Sequence, residues 1–219
     1  MSGQPYATKE TIGEKTGLWL KGLEGSRGRR SAVRPGRCAL VLIDLQKIFT
    51  DPSSPAFVPS WPAISVNVLK LVRIFSERKL PVVATRHIHR NSSGVIGNFF
   101  KRPLTASDPL SELDDFASRL SGDTQGIEKD TFAAFADGLP YSLEGVDVVI
   151  VCGVQTQRCV LATAIDLHRF GKTPIVLVDG CAAQDEERHL HALEILSDGH
   201  AHLATTDEVC LMINEGRLR

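Results

Sequence analysis

The chain has 219 residues, of which 42% are hydrophobic and 23% charged, and a formal net charge of −1. That composition suits one α/β domain, and near-neutrality gives no electrostatic reason to expect nucleic acid or an anionic membrane as partner. The longest apolar runs, such as Val148–Cys152, are far too short to span a bilayer.

Residues 1–36 show no secretory pattern. Five cysteines, at 38, 152, 159, 181 and 210, give an odd count with no CxxC spacing. This is neither a disulfide framework nor a structural zinc site, and a cytoplasmic chain with free thiols is expected.

The stretch 1–36 reads as an N-terminal arm and 37–219 as the folded domain. The arm has one apolar patch, Leu18–Trp19–Leu20, and five arginines between Gly25 and Arg37. Either it is poorly ordered, or it packs on a partner subunit through Trp19 and Leu20. Trp19 folding back onto its own domain is the remaining possibility.

From Cys38 the pattern sharpens. Cys38-Ala-Leu-Val-Leu-Ile-Asp44 is an apolar run ending in a carboxylate, the mark of a strand buried on both faces. A loop over 51–60 follows. Ile64, Val68, Leu71, Val72 and Phe75 then lie on one stripe of a helix. Further strands are predicted at 81–85, 126–129, 146–151, 174–179 and 201–204. Helices are predicted to open at Asp108-Pro109, to span 157–170 with a stop at Gly171, and to be capped by Asp185 and by Thr206. This alternation predicts an α/β fold, a mainly parallel central sheet layered between helices. In such a sheet the active groups gather beyond the carboxyl ends of the strands.

Three chemically distinct groups fall at that edge. Asp44 ends the first strand, where an unpaired carboxylate would be costly; a purely structural cap is its plainer role. Lys129 ends the strand Ile127-Glu128-Lys129, and alone it would read as a surface lysine. Cys159 follows the turn Gly153-Val-Gln-Thr-Gln in the first turn of a helix, where the helix dipole lowers a thiol pKa. A core cysteine is the alternative. Together they make an activated nucleophile: a thiol, a carboxylate to take its proton and a lysine to hold the charge.

Three motifs carry a family resemblance: Asp44-Leu-Gln46-Lys-Ile-Phe49, Lys129-Asp-Thr-Phe-Ala-Ala-Phe135, and Gly153-Val-Gln-Thr156-Gln-Arg-Cys159-Val160 with Thr163-Ala164 and Val178-Asp179-Gly-Cys-Ala182. In this order the chain, from about Cys38 to Val209, resembles the isochorismatase-like cysteine hydrolase superfamily, with its nicotinamidases and N-carbamoylsarcosine amidohydrolases. The resemblance implies a three-layer Rossmann-like fold and a homodimer or homotetramer. It implies that Asp44 is the general base, Lys129 the electrostatic partner and Cys159 the nucleophile that forms a thioester with a small-molecule amide. It also implies a cis peptide at Val154–Gln155, an oxyanion hole from the backbone N–H groups of Gln155 and Cys159, and Phe49 as a pocket wall.

The departures from that pattern matter too. Nicotinamidases of the family hold a metal through an Asp-x-His pair and downstream histidines. Here the matching stretch is Thr85-Arg86-His87-Ile-His89, and no histidine follows until His168. His87 and His89 share one strand face and could reach a metal with a third ligand, or could line the pocket. The expectation is no metal and no cofactor, with Arg86, His87 and His89 as substrate-binding residues. Arg90, Lys101, Arg102 and Arg158 are further candidates to hold a substrate oxygen. The cluster His189, His191, His200 and His202 is expected at the surface, and Cys181 is a weaker second thiol. The function read from the sequence is an amidohydrolase of small C–N amide or ureide bonds, with a non-catalytic oligomeric binding module as the rival.

Overall fold

Six apolar residues in a row, Cys38–Ile43, form strand β1 and are all buried, as a strand covered on both faces must be. The computed structural model describes residues 4–23, 36–90, 103–115, 124–134 and 139–218. Among them β1 is joined by β2 (Val82–His87), β3 (Gln125–Lys129), β4 (Val148–Val154), β5 (Thr173–Ala182) and β6 (His202–Ala204). The strand order is β3-β2-β1-β4-β5-β6 and every pair is parallel. The chain therefore winds outward one way from β1 and the other way from β4. The crevice beyond the ends of β1 and β4 is the topological switch point, where such sheets place their sites.

Helices α1 (Ile12–Gly22), α2 (Trp61–Glu77), α3 (Leu161–Arg169), α4 (Glu186–Ile195) and α5 (Thr206–Asn214) complete a three-layer α/β fold. The predicted stripe of α2 is buried: Ile64, Val68, Leu71, Val72 and Phe75 all lie in the core. Asp185 caps α4 as expected, its carboxylate accepting the Arg188 N–H.

Four local expectations are corrected. The cap of α5 is Thr205, not Thr206, in a capping box with Glu208. Thr206 instead donates its N–H and its hydroxyl to Asp179 at 2.8 and 2.9 Å. The helix expected at Asp108 stops after one turn, Pro109–Ser111, because the chain returns to pair Leu113 with Gln46. The helix expected from Gln157 opens as a wide turn, Thr156–Val160, before α3 proper.

The fourth correction concerns the arm. Residues 12–22 are helical, and α1 packs against β5 of its own chain. Trp19 is only 5% exposed and donates from Nε1 to Glu186 on α4 at 2.8 Å, where Lys15 also pairs. Trp19 thus folds back onto its own chain, because α4 offers both an apolar surface and a carboxylate for the indole N–H. Leu18, on the outer side, is exposed. Most of the arginine-rich stretch lies outside the described residues.

Candidate active site

Asp44 leaves β1 with a left-handed backbone, φ 48°, a conformation that Asp tolerates better than most residues. Its carbonyl accepts the Gln46 N–H at 2.8 Å, which closes the turn. Thr85 on β2 holds the residue from two sides: its hydroxyl accepts the Asp44 N–H at 3.0 Å and donates to Oδ1 at 2.6 Å. Oδ2 is left for Lys129. That ammonium, fully buried at the end of β3, lies 2.7 Å from Asp44 Oδ2, 3.4 Å from Cys159 Sγ and 3.1 Å from the Thr131 carbonyl. The structure therefore brings the three sequence-predicted groups into one contact set. Burial works against the Lys129 charge, but the Asp44 carboxylate and the Cys159 sulfur outweigh it and raise its pKa.

Cys159 departs from the expected electrostatics. Burial and then the Asp44 carboxylate push its pKa up to about 12, against the pull of Lys129. The helix-start position alone predicted a lowered value. Desolvation wins because Cys159 is only 6% exposed and the carboxylate lies beside it. The Cys159 sulfur thus lies beside the Lys129–Asp44 pair in surroundings that disfavour its thiolate.

The loop that carries the thiol is built around two close approaches. Gly153 has φ 126°, and a Cβ there would lie 2.2 Å from the Ile43 carbonyl, so only glycine lets β4 run this close to β1. The next peptide bond but one, Val154–Gln155, is cis, as the resemblance implied. The Gln155 carbonyl accepts N–H groups from Arg158 and Val160, and its buried side chain accepts from Gln157 and Arg158. Arg158 is thus held within the loop by Gln155.

The other expected residues divide. His87 is buried at the end of β2, and its ring meets His89 edge-on at 4.9 Å. Burial, with Lys129 adding to it, pushes the His87 pKa down to about 4. His89 accepts the Leu104 N–H on Nδ1 at 2.6 Å. Phe49 is buried on the short turn Lys47–Thr50 and belongs to the core. Arg86 does not join the triad. It alternates to the opposite face from Thr85 and His87 and pairs with Glu128 of β3, its register partner. Phe135, Lys101 and Arg102 lie outside the described residues.

Two features escaped the sequence reading. Gln46 is fully buried and clamps the β2 terminus: Oε1 accepts the His87 N–H, and Nε2 donates to the carbonyls of His87 and Ser111. A polar residue two places after the strand carboxylate was the available signal. His189 was expected at the surface but is fully buried, its Nδ1 2.9 Å from the Thr156 hydroxyl of the nucleophile loop. Its helical stripe with Ala192 and Leu193, both buried, was the signal.

His87 and His89 do not fit a metal site. His89 Nδ1 accepts a backbone N–H, so in the neutral ring Nε2 carries the proton and offers a metal no lone pair, and the Lys129 charge bears on His87. Among the described residues no three His, Cys, Asp or Glu side chains converge as a ligand set.

The sequence model of the isochorismatase domain matches residues 38–208. Nicotinamidase 3 of Arabidopsis thaliana is 30% identical over 178 residues, which cover 78% of this chain and 86% of the plant protein. Isochorismatase domain-containing protein 2A of Mus musculus is 26% identical over 196 residues, 87% of this chain and 82% of that one. A solved cysteine hydrolase from Pseudomonas syringae pv. phaseolicola superposes with a TM-score of 0.78 at 26% identity, covering 85% of this chain and 97% of its own. On the extent of the domain match and on these relatives, the chain belongs to the isochorismatase-like cysteine hydrolase superfamily.

Proposed function

We propose that this protein is a cysteine-dependent amidohydrolase that cleaves a small-molecule C–N amide or ureide bond. The observation that carries the reading is the Lys129 ammonium, fully buried and in reach of both the Asp44 carboxylate and the Cys159 sulfur. A buried charge is costly and is retained where it is paired; here it is paired with the two groups an acyl transfer needs. The relatives that bear the names of a nicotinamidase and a cysteine hydrolase support the same class.

In this reading Asp44 accepts the Cys159 proton as the sulfur attacks the amide carbon. The negative charge that develops on the carbonyl oxygen is met by the backbone N–H groups of Gln155 and Cys159. Collapse breaks the C–N bond, and the nitrogen leaves as ammonia or an amine with the proton held by Asp44. Water, giving its proton back to Asp44, attacks the Cys159 thioester; the acid is released and the thiol restored. Lys129 holds the carboxylate in place and balances the charge as it moves to sulfur. The high thiol pKa suits this cycle, since proton transfer and attack are then coupled. The protein works in the cytoplasm as a homodimer or homotetramer, and no step uses a metal.

The test is an ammonia-release screen over nicotinamide, maleamate, carbamoylated amines, biuret and ureidoacrylates, with and without a chelator. At least one substrate is expected to turn over, unaffected by chelation. The acyl adduct, trapped by acid quench and located by mass spectrometry, is expected on Cys159. An adduct on Cys181, or activity lost on chelation and restored by zinc or iron, would overturn the mechanism.

A further inference from the structure

His189 lies on α4, 30 residues beyond the nucleophile, yet its ring is fully buried against the nucleophile loop. Nδ1 is 2.9 Å from the hydroxyl of Thr156, which is itself fully buried. Thr156 sits between Gln155 and Cys159, the two residues whose backbone N–H groups are assigned to the oxyanion. The far side of the imidazole is closed by the N-terminal segment. The Trp19 ring meets it edge-on at 4.8 Å and the Tyr6 ring lies 5.7 Å away. Tyr6 is itself anchored: its hydroxyl accepts the Ala183 N–H, and its own N–H donates to Ser60.

A neutral imidazole of this kind does not touch substrate. Its Nδ1 bonds the loop through Thr156 while the ring also bonds the Val178 backbone of β5, and the Tyr6 and Trp19 rings pack against it. We propose that His189 is a positioning residue: through Thr156 it fixes the loop that presents Gln155 and Cys159, and the N-terminal segment, which lies outside the shared domain, keeps that bond dry. A buried hydrogen bond of this type loses little strength to solvent, and breaking one side leaves the other polar group unsatisfied. Displacing the oxyanion donors by a fraction of an ångström is felt in the chemical step rather than in substrate binding.

This inference rests on the amidohydrolase reading, so its test has one readout that depends on turnover and one that does not. His189→Leu, Thr156→Val and the double variant are compared with wild type, and His189→Asn serves as the variant whose carboxamide can still bond Thr156. For whichever amide wild type cleaves, kcat is expected to fall about 10- to 100-fold in each single variant with KM held. The double variant is expected to be no worse than either single one, and His189→Asn to recover much of the loss. Independently of any amide, the pH profile of Cys159 alkylation by iodoacetamide is expected to shift in His189→Leu and to return in His189→Asn. A wild-type kcat together with an unchanged alkylation profile in His189→Leu would overturn the proposal, as would losses that simply add in the double variant. If no amide is cleaved, the amidohydrolase reading fails, and the alkylation profile still decides whether His189 governs the loop.

Discussion

At the scale of single residues, the central fact is a buried lysine between a carboxylate and a thiol. Neither Asp44 nor Lys129 is exposed to solvent, and each compensates the other's desolvation. Lys129→Met removes one charge and strands the other. It is expected to abolish turnover and to cost about 3–5 kcal/mol of stability, measured by denaturant unfolding. Adding Asp44→Asn to that variant is expected to restore much of the stability but none of the activity. Cys159→Ala removes only a small side chain, so it is expected to be inactive and folded.

The raised thiol pKa changes what a labelling experiment shows. Fast alkylation at neutral pH, expected from the position at a helix start, is replaced by slow alkylation that rises only in alkali. A rate profile flat between neutral and alkaline pH would contradict the burial account.

Two buried imidazoles set the acid response. Burial, first of all, pushes the pKa values of His87 and His189 down to about 4 from the ordinary 6.5. Both take up protons more readily once the chain unfolds. Their contribution is therefore full above about pH 6.5 and is lost as the pH falls toward about 4. Stability measured across that window is expected to decline, and His189→Leu is expected to flatten the slope. An identical slope in wild type and variant would show that burial of this ring carries no such linkage.

At the scale of elements, the N-terminal helix is the unexpected participant. Its Trp19 buries an indole against α4 and donates to Glu186. Trp19→Ala is expected to lower stability by about 3 kcal/mol and to release residues 1–23 to proteolysis before the rest of the chain unfolds. Deleting 1–23 is therefore expected to lower the melting temperature of the protein in any assembly state. Light scattering of the same variant reports whether the segment also matters for oligomerisation. Gly153 is the element-scale constraint in the sheet. With a Cβ, Gly153→Ala would meet the Ile43 carbonyl at 2.2 Å, so β1 and β4 would have to part at the point where both reach the site. Loss of activity with a large drop in melting temperature is expected.

At the scale of the whole molecule, the strand order places the site. Asp44 follows β1, Lys129 ends β3 and the loop to Cys159 leaves the end of β4, and a parallel sheet brings those ends to one edge. Asp44 was legible in the sequence, because a strand buried on both faces must be a continuous apolar run, and a charge at the end of such a run stands out; Lys129 ends a largely exposed strand and was marked only by its motif. The motif Asp44-x-Gln46 and the spacing from Gly153 to Cys159 marked the family for the same reason: backbone turns and buried polar groups admit few residue types.

What the sequence could not resolve depends on contacts between distant segments. Arg86 and His87 are neighbours, yet strand alternation sends one to Glu128 and the other toward Lys129. His189 reads as polar helix surface until Tyr6 and Trp19, more than 160 residues earlier, are seen to cover it. The sign of the Cys159 pKa shift followed the same rule. A helix dipole is a local property and could be read from position, whereas desolvation and the charge of Asp44 act through space. The sequence by itself determined the sheet, its carboxyl edge and the motif residues that meet there, because apolar pattern and turn chemistry are local. Only the tertiary structure decided which side chains are dry and which charges face one another, because burial belongs to the packed chain and not to any segment of it.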